Sequence, residues 1–156
     1  MSWRRRWLLA VWVAIAAGGS GCGRVVMNQP VYRAGDAWEV TLRKLTDGPN
    51  QWSANPHSVL VPGRERRFIW AHITLHNTQP VARKFNFDRC ELDDGQQRIV
   101  PAAVDIDAAI ASGQANREPE LAPNETITRT LIFSYPENRS PTRLACLPMV
   151  IPLPQF

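Results

Sequence analysis

Two histidines four residues apart are the first candidates for metal chemistry in this sequence. Residues 68–77 alternate apolar and polar side chains, and this period of two predicts a β-strand with His72 and His76 on one face. At ~3.3 Å per residue the two side chains start about 13 Å apart, whereas zinc holds its nitrogen ligands at about 2.1 Å. One ion therefore cannot bind both, and we expect neither a metal site nor a cofactor.

The second candidate is a group of acidic residues in an irregular stretch, residues 101–123. Its members are Asp105, Asp107, Glu118 and Glu120. Their carboxylates could bind Ca²⁺ or act as a paired acid and base, although the spacing of a calcium loop is absent. A metal-handling protein or a hydrolase that combines this loop with His57 or His72 therefore stays open as the alternative function. The sequence contains no Gly-x-Ser-x-Gly elbow and no glycine-rich phosphate loop.

The amino-terminal residues have the three parts of a secretory signal. Three arginines at positions 4–6 precede an apolar run over residues 7–17, and the small residues 18–21 follow. The apolar run is about ten residues long, too short for a transmembrane helix of ~20 residues. We predict that residues 1–21 are a signal peptide that directs the protein out of the cytoplasm.

The residues before Cys22 resemble the lipobox of bacterial lipoproteins, whose cysteine is acylated and becomes the new amino terminus. Ser20 and Gly21 match the two small residues of that motif, and Gly19 stands where the lipobox usually has Leu. The resemblance implies lipidation of Cys22 and anchoring to the bacterial membrane, facing the periplasm or the exterior. Ordinary secretory cleavage, with Cys22 a plain thiol, is the alternative.

The other two cysteines, Cys90 and Cys146, are candidates for a disulfide. An exported protein folds in an oxidising compartment, where two leftover thiols usually pair. We predict a Cys90–Cys146 bridge; two buried reduced thiols are the alternative, since free cysteine often packs as a small hydrophobe.

The charge balance gives no support to a nucleic-acid partner. The chain has 18 Lys and Arg against 14 Asp and Glu. Three of the arginines belong to the predicted signal peptide, so the rest of the chain is nearly neutral. No basic stripe with interleaved aromatic residues is present either.

The sequence after the signal peptide predicts one domain of short strands. The clearest strand patterns span residues 38–45, 68–77 and 126–135. Asp94-Gly95 predicts the tight turn of a hairpin. Residues 22–34 lack periodicity and are predicted to be a tether, which leaves residues 35–156 as the folded domain. We predict an all-β fold, an antiparallel immunoglobulin-like β-sandwich.

The order of the turn and strand signals adds a family resemblance. The signals are Gly35-x-x-Trp38-x-Val40, His76-Asn77, Leu92-x-Asp94-Gly95, Leu121-Ala122-Pro123-Asn124-Glu125 and Leu131-Ile132-Phe133-x-Tyr135-Pro136. This order resembles the telokin-like, immunoglobulin-like domain of unknown function found in bacterial exported proteins and lipoproteins. The sequence departs from that pattern at Asn124 and Thr130, where the family usually has Gly. The resemblance implies a fold and an exported location, and it brings no catalytic residues.

Two long irregular stretches, residues 46–63 and 101–123, are where we expect binding, because immunoglobulin-like sandwiches carry recognition loops at the ends of their sheets. The first stretch contains Trp52, a candidate aromatic anchor, and His57, a polar tip. We predict that Trp52 lies at the contact surface; its burial as a lid over the sandwich is the alternative. The expected protein is a non-catalytic, lipid-anchored envelope lipoprotein, not an enzyme. It would act as an extracytoplasmic binding module for an unknown envelope protein, glycan or lipid.

Overall fold

The structure, a computed structural model, describes residues 23–106 and 113–156. The predicted signal peptide, Cys22 and Asp107 lie outside the described residues. The described strands, in chain order, are β1 (Arg24–Met27), β2 (Val31–Ala34), β3 (Trp38–Asp47), β4 (Trp52–Asn55), β5 (Ser58–Leu60), β6 (Arg66–Asn77), β7 (Arg83–Lys84), β8 (Cys90–Asp93), β9 (Arg98–Ile99), β10 (Ala103–Asp105), β11 (Glu120–Leu121), β12 (Thr126–Pro136), β13 (Arg143–Cys146) and β14 (Met149–Pro152). A 3₁₀ helix spans Phe87–Arg89. No helix among the described residues is long and apolar enough to cross a membrane.

Two antiparallel sheets form the body of the protein. In the larger sheet the strand order is β1-β3-β6-β12-β10, and β2 pairs with β3 beyond the end of β1. The smaller sheet has the order β14-β13-β8-β9. Two short pairs, β7 with β11 and β4 with β5, lie outside these sheets. Near the carboxyl terminus β13 and β14 form an antiparallel hairpin.

The core lies between the two sheets and follows the alternation of the sequence. Ile69, Ala71, Ile73 and Leu75 of β6 are fully buried, as the strand pattern over residues 68–77 predicts. The smaller sheet contributes alternate side chains such as Leu92 and Leu144 to the same cluster. Burial of apolar area at about 25 cal/mol per Å² is the main stabilising contribution of such a layer. The predicted all-β sandwich is confirmed.

The predicted tether is the first difference between sequence and structure. Residues 24–27 and 31–34 form β1 and β2, which follow one another along β3. Val26, Met27 and Val31 pack against the core. The sequence signal is weak because each strand has only four residues and lies at the edge of the sheet. The folded domain therefore begins well before residue 35.

A 3₁₀ turn lies just before β8. It spans Phe87–Arg89, and β8 begins at Cys90. The Asn86 side chain accepts a hydrogen bond from the Asp88 amide and so caps this turn. Phe85 and Phe87 are both buried in the core, and their ring centroids lie 5.2 Å apart in an edge-to-face contact.

The predicted disulfide is present between neighbouring strands of the smaller sheet. Cys90 of β8 is directly opposite Cys146 of β13, and their Cα atoms lie 4.0 Å apart. Both residues are buried in the core. The bridge joins parts of the chain that are 56 residues apart in sequence.

Candidate functional site

The β4–β5 hairpin covers part of the outer face of the larger sheet. Trp52 of β4 packs with Phe68, Ala103 and Ile132, which belong to a cluster separate from the main core. Trp52 stands opposite Leu60 in the hairpin, and both side chains point towards the sheet. The hairpin therefore covers Phe68 on the outer face.

Trp52 is buried, and the prediction that it lies at a contact surface is wrong. Its side chain is only 8% exposed. The indole N–H donates a hydrogen bond of 2.8 Å to Oδ2 of Asp105, and Oδ1 of Asp105 accepts from the Gly113 amide. Trp52 folds back because Phe68 and Ile132 leave an apolar area on the outer face that requires cover. The lid alternative for Trp52 is the one that the structure supports.

The two irregular stretches that sequence analysis singled out meet at this hydrogen bond. Trp52 comes from the first stretch and Asp105 from the second. Gly113, also in the second stretch, lies beside the carbonyl oxygen of Ala54 and the side chain of Ile106. The hairpin thus lies against Asp105 and Gly113 of the second stretch.

Two valines on the outward side of the hairpin are largely exposed. Val59 is 62% exposed and Val61 is 60% exposed, since they alternate with the inward-facing Leu60. Ile106, on the neighbouring segment, is 39% exposed. His57 is exposed in the turn of the hairpin, and its backbone N–H donates to the Asn55 side chain. We call Val59, Val61, Ile106 and His57 the hairpin surface.

His72 belongs to a polar row that crosses the outer face. Thr130 of β12 lies between His72 of β6 and Asp105 of β10 in the strand register. The Thr130 hydroxyl and His72 Nδ1 are 2.8 Å apart. Thr130 is 2% exposed and Asp105 is 5% exposed, so a substrate has little access to either group. Asp105, at one end of this row, is the residue that accepts the hydrogen bond from Trp52 of the hairpin.

Metal ligation receives no support from the described part of the chain. His76 Nδ1 is 3.0 Å from Oε2 of Glu39, and His72 is engaged by Thr130. Glu118 and Glu120 are exposed. Within residues 23–106 and 113–156 no three His, Cys, Asp or Glu side chains converge as a metal site would require.

The densest group of ionisable side chains lies at the β8–β9 turn, which sequence analysis identified only as a turn. The Tyr135 hydroxyl donates a hydrogen bond of 2.8 Å to Oδ2 of Asp94, and Nε of Arg139 is 2.8 Å from the same oxygen. Burial and the Asp94 carboxylate raise the pKa of Tyr135 well above its ordinary value. Tyr135 therefore acts as a hydrogen-bond donor at neutral pH and not as a nucleophile.

Both carboxylate oxygens of Asp93, which lies beside this group, accept hydrogen bonds. Its carboxylate accepts from the Gly95 amide at 2.6 Å and from Arg143 Nη2 at 2.6 Å, and Arg98 Nε is 3.4 Å away. The hydrogen bond from Gly95 and that from Arg143 lower the pKa of Asp93. Gly95 has a φ of 88°, a conformation that favours glycine in a tight turn. These contacts fix the turn and leave no carboxylate oxygen without a partner at Asp93.

Acid should weaken the contribution of Asp94 to stability. Burial by itself would raise the pKa of Asp94, but hydrogen bonds from the Gln96 and Gln97 amides and from Tyr135, with the charge of Arg139, lower the pKa to about 2. A carboxyl in the unfolded chain titrates near 3.9. The stabilisation is therefore complete above about pH 4 and declines as the pH falls towards 2. We expect Asp94→Asn to flatten the fall of the thermal midpoint over this range.

The control for this prediction is Asp36→Asn, because Asp36 is exposed in the turn after β2. The measurement is the thermal midpoint of both variants and of the unmodified protein from pH 6 to pH 2, and the slopes of midpoint against pH are compared. Equal slopes for Asp94→Asn and the unmodified protein would contradict the role of this carboxylate.

Two antiparallel sheets packed face to face, with a hairpin on one outer face, define a β-sandwich protein. Similar solved structures come from several bacteria. A conserved hypothetical protein from Bacillus anthracis superimposes with a TM-score of 0.58 at 12% identity, covering 83% of this chain and 95% of that chain. A functionally unknown protein from Listeria monocytogenes EGD-e gives a TM-score of 0.52 at 14% identity, covering 78% and 70%. These two likenesses concern the fold alone.

An uncharacterized β-sandwich protein from Clostridium difficile 630 has a TM-score of 0.47 at 14% identity and covers 78% of this chain and 83% of that chain. The sequence matches no protein-family profile and no curated protein.

Proposed function

We propose that this protein is a non-catalytic envelope lipoprotein, anchored through Cys22, whose immunoglobulin-like sandwich binds another envelope protein through the hairpin surface. The observation that carries the proposal is the exposure of Val59 and Val61 on a hairpin that Trp52 holds in place. Exposed apolar side chains grouped on one face of a fixed element are a feature of interaction sites.

The hairpin also offers its backbone to a partner. Among the described strands, β4 and β5 pair only with one another, so each has an outer edge without a strand neighbour. Open strand edges accept an extended segment of another protein by adding a strand, and neighbouring side chains supply specificity. This edge beside Val59 favours a protein partner over a glycan or a free lipid.

A fixed hairpin suits binding because little conformational freedom is lost when a partner docks. The Trp52–Asp105 hydrogen bond ties β4 to β10. Val59, on the opposite side of the hairpin, remains 62% exposed. The same contacts that remove Trp52 from the surface therefore preorganise the residues that we assign to binding.

The non-catalytic role is supported by the state of the charged groups. Asp93, Asp94 and Asp105 each accept at least two hydrogen bonds or ion pairs within the fold. At Asp93 and Asp94 these partners lower the pKa, which favours a fixed, ionised carboxylate rather than one that exchanges protons during turnover.

The binding role is tested by Val59→Asp combined with Val61→Asp. Burial of a valine contributes about 1.5 kcal/mol, so two charges in its place should lower partner binding by tenfold or more. The measurement is the yield of a specific complex after chemical crosslinking in intact cells. The control is Val81→Asp, because Val81 is 53% exposed and lies beside Asn77, at the other end of β6 from Phe68, on which the hairpin packs. Equal yields from the two variants would rule out the hairpin surface.

The anchor is tested by Cys22→Ala. Lipoprotein modification supplies more than one acyl chain, and two membrane signals are needed for stable anchoring. We expect the variant to move from the membrane fraction to the soluble fraction, while mass spectrometry of the unmodified protein finds acyl chains on Cys22. An unchanged distribution, or an unacylated Cys22, contradicts this part of the proposal.

A further inference from the structure

The first described residues lie at one end of the larger sheet. Arg24, the first residue of β1, is opposite Asp47 at the end of β3, and Asp47 is opposite Ile69 near the start of β6. A Cβ on Gly23 would lie 1.9 Å from the carbonyl oxygen of Gly48. Gly23 is thus already packed against the domain, and only glycine allows this close approach.

The same end contains the first residues of β6 and the last residues of β12. Arg66 is opposite Pro136 in the strand register, three residues beyond Ile69. The Arg67 guanidinium is 3.2 Å from Asp47, and its Nη2 donates to the Arg139 carbonyl oxygen. We call residues 23–24, 47–48, 64–67 and 136–139 the Gly23 end.

The opposite end of the sandwich is far from this point. β6 has twelve residues, which at ~3.3 Å per residue span about 36 Å. The turns at residues 35–37 and 122–125 lie beyond its far end, next to His76 and Asn77. The two ends therefore differ greatly in their distance from the chain that precedes Gly23.

Cys22 is bonded directly to Gly23, so its Cα lies within about 7 Å of the Arg24 Cα. If its acyl chains enter a bilayer, as the proposed function requires, the Gly23 end has no flexible linker to separate it from the headgroups. The length of the connection thus determines which end of the domain meets the membrane.

We propose that the sandwich stands end-on, with the Gly23 end against the bilayer surface and a cleft at that end open to phospholipid headgroups. The inference rests on the lipid anchoring assigned above. The cleft has a volume of about 410 Å³. It is lined by Arg64, Glu65, Arg66, Pro136, Glu137 and Asn138.

The side chains of this cleft suit a headgroup that carries both charges. The Arg64 side chain is 93% exposed and makes a weak ion pair of 3.7 Å with Glu65. Its guanidinium is therefore available to donate hydrogen bonds to a phosphate. Glu65 is 82% exposed and Glu137 is exposed, so carboxylates are also available for an ammonium group. Because arginines and glutamates are balanced here, we expect zwitterionic bilayers to be sufficient for the end-on arrangement.

The end-on orientation also leaves the hairpin accessible to a partner in the same membrane. The segment 48–50 leaves the Gly23 end and leads into β4, so the hairpin rises along the side of the sandwich. A partner embedded in or bound to the same membrane would approach the hairpin surface from the side, without displacing the Gly23 end.

The test is hydrogen exchange of the acylated protein in phosphatidylcholine vesicles, compared with a spacer variant. The variant carries about fifteen Gly and Ser residues between Cys22 and Gly23, beginning with Gly so that the residue after Cys22 is unchanged. Such a linker spans roughly 20 Å on average, which releases the domain from the surface. We expect the amides of residues 63–66 and 137–139 to exchange several-fold more slowly in the native-length protein. The turns 35–37 and 122–125 should exchange equally in both.

Two outcomes would overturn the end-on arrangement: equal exchange of residues 63–66 in the two proteins, or protection of the 35–37 and 122–125 turns instead. A second arm uses vesicles in which phosphatidylglycerol makes up about a third of the lipid. Protection found only in these vesicles would contradict the expectation that zwitterionic bilayers are sufficient. Acyl mass on Cys22, measured on the same sample, reports the anchoring separately. If that mass is absent, coupling the Cys22 thiol to a maleimide lipid tests the end-on arrangement independently.

Discussion

Trp52→Ala is expected to lower the free energy of unfolding by about 3–5 kcal/mol, the usual cost of removing a large aromatic side chain from a packed site. Trp52 fills the space above Phe68, Ala103 and Ile132. Its removal also deprives the buried Asp105 carboxylate of the indole donor. A buried acceptor without its partner adds to the loss. Urea denaturation of the variant and the unmodified protein measures the difference.

Two further variants separate the parts of this effect. Trp52→Phe keeps most of the apolar volume and loses the hydrogen bond, so its cost should fall between zero and that of the alanine variant. Val59→Ala, on the outward side of the same hairpin, should change stability by no more than about 0.5 kcal/mol. A cost below 1 kcal/mol for Trp52→Ala would mean that Trp52 does not hold the hairpin, and the assignment of Val59 and Val61 would lose its structural basis.

Loss of the disulfide is expected to have a comparable effect. A bridge across 56 residues removes chain entropy from the unfolded state, which corresponds to roughly 4 kcal/mol. We expect Cys90→Ala combined with Cys146→Ala to lower the free energy of unfolding by about this amount, as measured in urea without reductant. Replacing both residues avoids leaving one buried thiol beside an empty partner site.

Reductant supplies the control for this double variant. The unmodified protein should lose stability when reduced, whereas the double variant should be indifferent to reductant. Peptide mapping without reduction should show one Cys90–Cys146 pair. Two alkylatable thiols in the oxidised native protein, or a double variant as stable as the unmodified protein, would contradict the bridge.

The main sheet could be predicted because its strands are long and alternate clearly. Residues 68–77 have an aliphatic face and a mixed face, and the structure buries the aliphatic face as expected. The Asp94-Gly95 turn was predictable because few residues other than glycine adopt the positive φ that it needs. The disulfide followed from the count of cysteines once export was assumed.

The edge strands and the hairpin could not be predicted from the sequence pattern. β1 and β2 have four residues each, and their pairing depends on contacts with β3 that no local pattern contains. The burial of Trp52 depends on Phe68, which is distant in sequence and points away from the main core. The one sequence signal for this packing is the pair of aromatic residues Phe68 and Trp70. They lie on the otherwise polar face of their strand, and aromatic residues there indicate that this face is covered.

The contacts among the ionisable side chains at the β8–β9 turn also could not be predicted from the sequence pattern. The sequence marks Asp94 only as a turn residue. The partners of Asp93 and Asp94, which are Arg139, Arg143 and Tyr135, lie more than forty positions away. Spatial pairing of this kind has no periodic signature. It became visible only when the strands were placed beside one another.

The most direct test of the proposed function is site-specific photocrosslinking in intact cells, with the photoreactive residue placed at position 59. We predict one discrete crosslinked species from position 59, abolished by Val61→Asp in the same chain. The same photoreactive residue at position 81, also exposed but away from the hairpin, should not give that species. An identical crosslinking pattern from positions 59 and 81, or no species from position 59, would contradict the assignment of the hairpin surface as the binding site.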